Sequence, residues 1–162
     1  MKIKVLLKNK ILRNILSALA VAVFGFILLN LVFLFDFIFQ SVIDASFRLF
    51  TQVDFNMELH WFPPMKQFLF VVIIGIISWF VFRSKLKVLY KAIFMTVPVA
   101  VVLATIGMSL YRWPIVLYSL GTLLCICTLY FFYRTKQPWL YYYTVILVSI
   151  TLAIVTMMGV DI

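Results

Sequence analysis

Acidic residues are scarce: the 162-residue chain holds five Asp and Glu against fourteen Lys and Arg, with one His and two Cys. These shortages exclude much chemistry. A zinc site needs several His or Cys donors held close together, and His60 has no second nitrogen or sulfur ligand nearby in the sequence. Cys125 and Cys127 stand two positions apart, so on a helix their side chains point about 200° away from each other and cannot bridge. They read as small apolar fillers. The chain also lacks a Gly-x-Ser-x-Gly elbow, a phosphate-cradling Gly-rich loop and an HExxH stretch. No enzyme activity, metal or cofactor is therefore expected.

What the chain has instead is hydrocarbon. Two thirds of its residues are hydrophobic (66%) and only 12% are charged, about half the usual share of charge. Five apolar runs, about 15–35, 65–82, 92–111, 115–133 and 139–160, are each long enough to cross a bilayer, which takes ~20 residues. The expected fold is an all-α integral membrane protein, a single polytopic domain of five transmembrane helices in one bundle. The first run has no small-residue cleavage site after a short core and reads as a retained span.

The charges sort themselves between these runs. Three clusters, Lys2/Lys4/Lys8/Lys10/Arg13, Arg83/Lys85/Lys87/Lys91 and Arg134/Lys136, hold eleven of the fourteen basic residues and no acid. Arg48, Lys66 and Arg112 lie in the alternate segments with all five acids. Strict alternation is the positive-inside pattern of a chain that threads a membrane five times. It predicts a cell-membrane, multi-pass protein with a cytoplasmic N-terminus and an external C-terminus. The net charge of +9 follows from this anchoring, so the bilayer is the expected partner and nucleic acid is not.

Only one connection is long. Within 36–66, apolar Phe37, Ile38, Val42, Ile43, Phe47, Phe50 and Val53 recur at helical spacing against Gln40, Asp44, Arg48, Thr51 and Asp54. The pattern predicts an amphipathic helix over 41–53 lying in the outer interface, within the first outer loop. Pro63-Pro64 then launches the second span. Between the third and fourth spans only Arg112-Trp113-Pro114 remain, so these two helices must be antiparallel neighbours.

Candidate functional residues fall into three groups. Small residues recur one turn apart at Ala18, Ala22 and Gly25 on the first span and at Ala100 and Ala104 on the third, marking helix-contact faces. Asn30, Asp36, Ser119 and Thr122, with Thr151, are the polar residues available to line a substrate pocket among the spans. Asp54, Glu58 and His60 form a polar cluster in the first outer loop, where Asp54 and Glu58 stand one turn apart if helical.

The spans carry no ionisable residue in their middle thirds, which disfavours a buried proton relay, because charge at that depth is costly and is kept for use. Three classes of function remain. The expectation is a small non-catalytic accessory or structural subunit that packs on another membrane subunit or on itself. The alternatives are a solute-binding or transport component with a polar pocket in the bundle, and a lipid-active enzyme working at the outer face through Glu58 and His60.

Overall fold

The computed structural model describes residues 10–51, 62–110 and 112–157. Over these residues the chain is all-helical, with α1 Lys10–Thr51, α2 Phe62–Arg83, α3 Val88–Leu110, α4 Pro114–Arg134 and α5 Trp139–Met157. Each of the five contains a stretch apolar enough to cross a membrane.

The helix ends follow local rules. Pro63 and Pro64 sit in the first turn of α2, where backbone N–H groups have no intrahelical acceptor and proline loses nothing. Pro114 opens α4 in the same way, and the Trp113 N–H donates to the Leu110 carbonyl at 2.8 Å to tighten the α3–α4 link. The C-terminus of α4 turns through a Schellman motif. The Gln137 N–H reaches the Phe132 carbonyl at 3.0 Å and the Lys136 N–H reaches Tyr133 at 3.2 Å, with Lys136 left-handed at φ 51°.

One boundary differs from the sequence reading. The first helix does not end near Phe35 but runs on unbroken to Thr51, for 42 residues. At ~1.5 Å per residue that is about 63 Å, twice the ~30 Å hydrocarbon core. Of the interfacial helix expected over 41–53, residues 41–51 are helical and continue α1 without a break, and 52 and 53 lie outside the described residues. No Gly or Pro interrupts 36–51, so nothing breaks the hydrogen-bond ladder. The extension is also held sideways. Lys66 Nζ in α2 pairs with Asp44 at 2.7 and 3.0 Å and lies 5.1 Å from the Phe62 ring centroid, while the Phe47 ring packs tilted against Phe62 with centroids 4.5 Å apart.

α3 is the hub: it alone touches all four other helices, and the rest form an arc around it in the order α2, α1, α5, α4. Two apolar layers fill the bundle. One gathers Val21, Ala92, Met95, Phe132, Leu140, Tyr141 and Val145 beside the basic connections; the other joins Phe70, Ile74, Val97 and Val101 with Leu28, Val32 and Phe39. The first layer brings together the N-terminal half of α1, the start of α3, the end of α4 and the start of α5. The basic residues of the α2–α3 and α4–α5 connections consequently share one end of the bundle. There Lys91 Nζ donates to the Phe82 carbonyl at 2.6 Å, and Phe132 packs against Tyr141 and Tyr142 at 6.0 and 5.8 Å.

Candidate functional site

The small residues sit where backbones come closest. Gly25 is buried, and a Cβ added there would lie 2.7 Å from Thr96 Cγ2. Thr96 is itself locked, 1% exposed with its hydroxyl donating to the Ile93 carbonyl at 2.7 Å. Val21, one turn before Gly25, is fully buried, while Ala18 and Ala22 beside it are half-buried. On α3, Ala100 and Ala104 are both buried within the bundle. Of these small residues, Gly25 faces Thr96 of α3 and Ala104 borders the space among α3, α4 and α5.

The polar candidates do not converge. Asn30 is exposed on α1 and donates to its own helix at the Phe26 carbonyl, 2.8 Å away. Asp36 is half-buried; one oxygen accepts from Gln40 at 3.0 Å, and the other is buried without a hydrogen bond among the described residues. Six positions apart on one helix, Asn30 and Asp36 face different directions. Ser119 and Thr151 are exposed, with hydroxyls returned to the Ile115 and Leu147 carbonyls. Thr122 borders a cavity. Asp54, Glu58 and His60 lie outside the described residues. Among the described residues no three His, Cys, Asp or Glu side chains gather as a metal-ligand set.

The cavity that Thr122 borders lies among α3, α4 and α5 and measures about 320 Å³. Its shape follows from small side chains. Ala104 and Gly107 of α3, Gly121 of α4 and Ala153 of α5 all line it. A Cβ on Gly107 would meet no atom within 4 Å, and one on Gly121 only Leu103 Cδ2 at 4.0 Å. Three helices thus present missing side chains to one space. A second cavity of about 270 Å³ lies nearer the basic end, bordered by Met95, Pro98, Val102, Thr128 and Val145. Leu103 and Cys125 line both.

The polar groups of this region are largely spent. Ser149, Thr156 and Thr128 return their hydroxyls to carbonyls of their own helices, at Val145, Leu152 and Leu124, at 2.7, 2.8 and 2.8 Å. Such back-bonds satisfy the hydroxyl and leave its methyl or methylene to face outward. Cys125 Sγ and Ser149 Oγ meet at 3.0 Å, tying α4 to α5. The space among the helices is mostly apolar, with Tyr118 and Thr122 in the lining of the larger of the two cavities.

Sequence reasoning missed the Asp44–Lys66 pair, the Gly25–Thr96 contact and the α3–α4–α5 cavity. Opposite charges flanking one connection were a legible signal for the first. Gly107, Gly121 and Ala153 were visible as small residues, but nothing in the sequence set them at one depth around one space. The chain matches no protein-family model, no curated protein and no solved structure.

Proposed function

We propose that this chain is a non-catalytic multi-pass membrane protein that holds a small apolar or amphiphilic molecule among α3, α4 and α5. The observation that carries this reading is the cavity of about 320 Å³ lined by small residues of three helices. Ligand pockets begin near ~300 Å³. A transmembrane helix ~10 Å across would need more than about 1,000 Å³ over the same depth, so the space is too small for a partner helix. Ser149 and Thr156 return their hydroxyls to their own helices, leaving Tyr118 and Thr122 as the hydroxyl-bearing residues of an otherwise apolar lining, which suits a hydrocarbon moiety with a small polar end better than a polar solute. The basic connections on the cytoplasmic side, with the N-terminus, and the C-terminus outside complete the reading.

The test uses Cys125, which lines the cavity, in a Cys127→Ser background. Alkylation of Cys125 by a small membrane-permeant thiol reagent should slow when an eight-carbon alcohol is added, and Gly121→Phe, which fills open space, should remove that protection. Equal alkylation rates with and without saturating alcohol in the wild-type cavity would refute the reading.

A second reading, an accessory subunit of a larger membrane complex, is favoured by the exposure of α4, whose one buried residue is Phe132. Its face at Ile115, Leu123 and Ile126 is then the docking surface. Co-purification in mild detergent, lost on Leu123→Gln, tests it.

A further inference from the structure

We infer that the ligand is a single unbranched hydrocarbon chain, acyl or alkyl, lying lengthwise along α4 through both cavities. The inference rests on the cavity reading above and adds the shape and class of the occupant. Leu103 and Cys125 border both chambers, which places the two end to end. On α4 the lining runs from Leu117 in one to Thr128 in the other. Eleven helical steps of ~1.5 Å make a path of about 16.5 Å, roughly half the ~30 Å hydrocarbon thickness. An extended chain advances about 1.2 Å per bond, since three backbone bonds span at most ~3.6 Å, so the path accommodates about fourteen bonds.

A compact ligand would occupy one chamber and leave the other empty, since the two are separate spaces that share only Leu103 and Cys125 in their linings. A flexible chain passes a constriction one methylene at a time. The chain's polar end belongs at the larger chamber, where Tyr118 and Thr122 stand. The methyl end belongs near Thr128 and Val145, among groups already satisfied by their own helices. The same chain chemistry can come from a free single-chain amphiphile or from one tail of a bilayer lipid.

The experiment is a chain-length series. Straight-chain primary alcohols of six to eighteen carbons, and a diacyl phospholipid series of matched tails, are offered in competition to the full-length protein in nanodiscs, and retained molecules are read by native mass spectrometry. Retention should rise with length and level off near fourteen carbons. Thr128→Phe and, independently, Val102→Phe fill the chamber nearer the basic end, so each should move the plateau to about ten carbons. That is the ~12 Å from Leu117 to Cys125 at the same spacing. Gly121→Phe should lose all lengths. Retention of alcohols alone assigns a free amphiphile, and retention of matched phospholipids as well assigns a bilayer lipid; either supports the inference. A plateau that stays at the same length in both lower-chamber variants, or binding with no length dependence, overturns it while leaving the cavity reading intact. Absence of eight-carbon binding in the wild type overturns the cavity reading itself.

Discussion

Replacing Gly25 by alanine and Gly75 by alanine should have opposite effects, although both add one methyl group to a membrane helix. At Gly25 the new Cβ would sit 2.7 Å from Thr96 Cγ2, roughly 1 Å inside the optimal carbon–carbon separation of ~3.5–4.0 Å. Thr96 cannot swing away cheaply: it is β-branched and stiff at χ1, and its hydroxyl is held by the Ile93 carbonyl. Helix α1 must therefore retreat from α3, and such overpacking costs ~1–3 kcal/mol. Alanine recovers about 1 kcal/mol of helix propensity over glycine, leaving the variant ~0–2 kcal/mol less stable than wild type. At Gly75 an added Cβ meets nothing within 4 Å, so the propensity gain stands alone and stability rises by up to ~1 kcal/mol.

Thermal unfolding in mild detergent reads the difference, at ~2–4 °C per kcal/mol for a chain of this size. Thr96→Ser supplies the decisive arm. It removes Cγ2 and keeps the hydroxyl, so Gly25→Ala in that background should lose most of its penalty, giving a coupling that two non-contacting sites do not show. If Gly25→Ala unfolds at the same temperature as Gly75→Ala, or Thr96→Ser fails to rescue it, the close α1–α3 approach is not what holds these helices together.

Asp44→Asn leaves the Lys66 ammonium, whose side chain is 11% exposed, without its anion. It should lower stability by ~1–3 kcal/mol, less than a fully buried pair because the carboxylate is 35% exposed; Asp44→Leu with Lys66→Met should restore most of the loss in the same unfolding assay. Lys136→Gly relieves a left-handed non-glycine residue at the end of α4 and should raise the unfolding temperature by the equivalent of ~1 kcal/mol; an unchanged or lower value counts against the Schellman ending. Thr144→Val removes a buried hydroxyl that bonds the Leu140 carbonyl at 2.9 Å and the Ala92 carbonyl at 3.3 Å. An interhelical bond of this kind averages ~0.6 kcal/mol, so a loss above ~2 kcal/mol would show that Thr144 does more than join α5 to α3. A topology reporter fused after Lys87 should be active only on the cytoplasmic side, and activity outside would reverse the orientation argued from the basic clusters.

The five helices apolar enough to cross a membrane and, apart from the end of α1, their approximate limits were written in the sequence. A bilayer asks only for ~20 apolar residues per crossing, which is a local, one-dimensional property. Helix ends were legible for the same reason: Pro63, Pro64 and Pro114 act on their own turn, whatever surrounds them. The end of α1 was not legible. The first apolar run was read as ending near 35, but polar residues beyond it do not by themselves stop a helix, and the extension is held to α2 by Asp44, Lys66, Phe47 and Phe62, an association across sequence that no local pattern encodes.

The cavity belongs wholly to tertiary structure. Thr122 was singled out for its polarity together with Asn30, Asp36 and Ser119, yet those three turn to their own helices or to other faces. The features that make the space are Gly107, Gly121 and Ala153, residues notable for what they lack. Whether a small residue admits a neighbouring helix, as Gly25 admits Thr96, or leaves a void, as Gly107 and Gly121 do, depends on which helix stands opposite it. The sequence by itself determined the five helices and the charge pattern that orders their ends, because hydropathy and charge act residue by residue. Only the tertiary structure decided which small residues were filled and which were left open, because packing is settled by the distances between helices far apart in the chain.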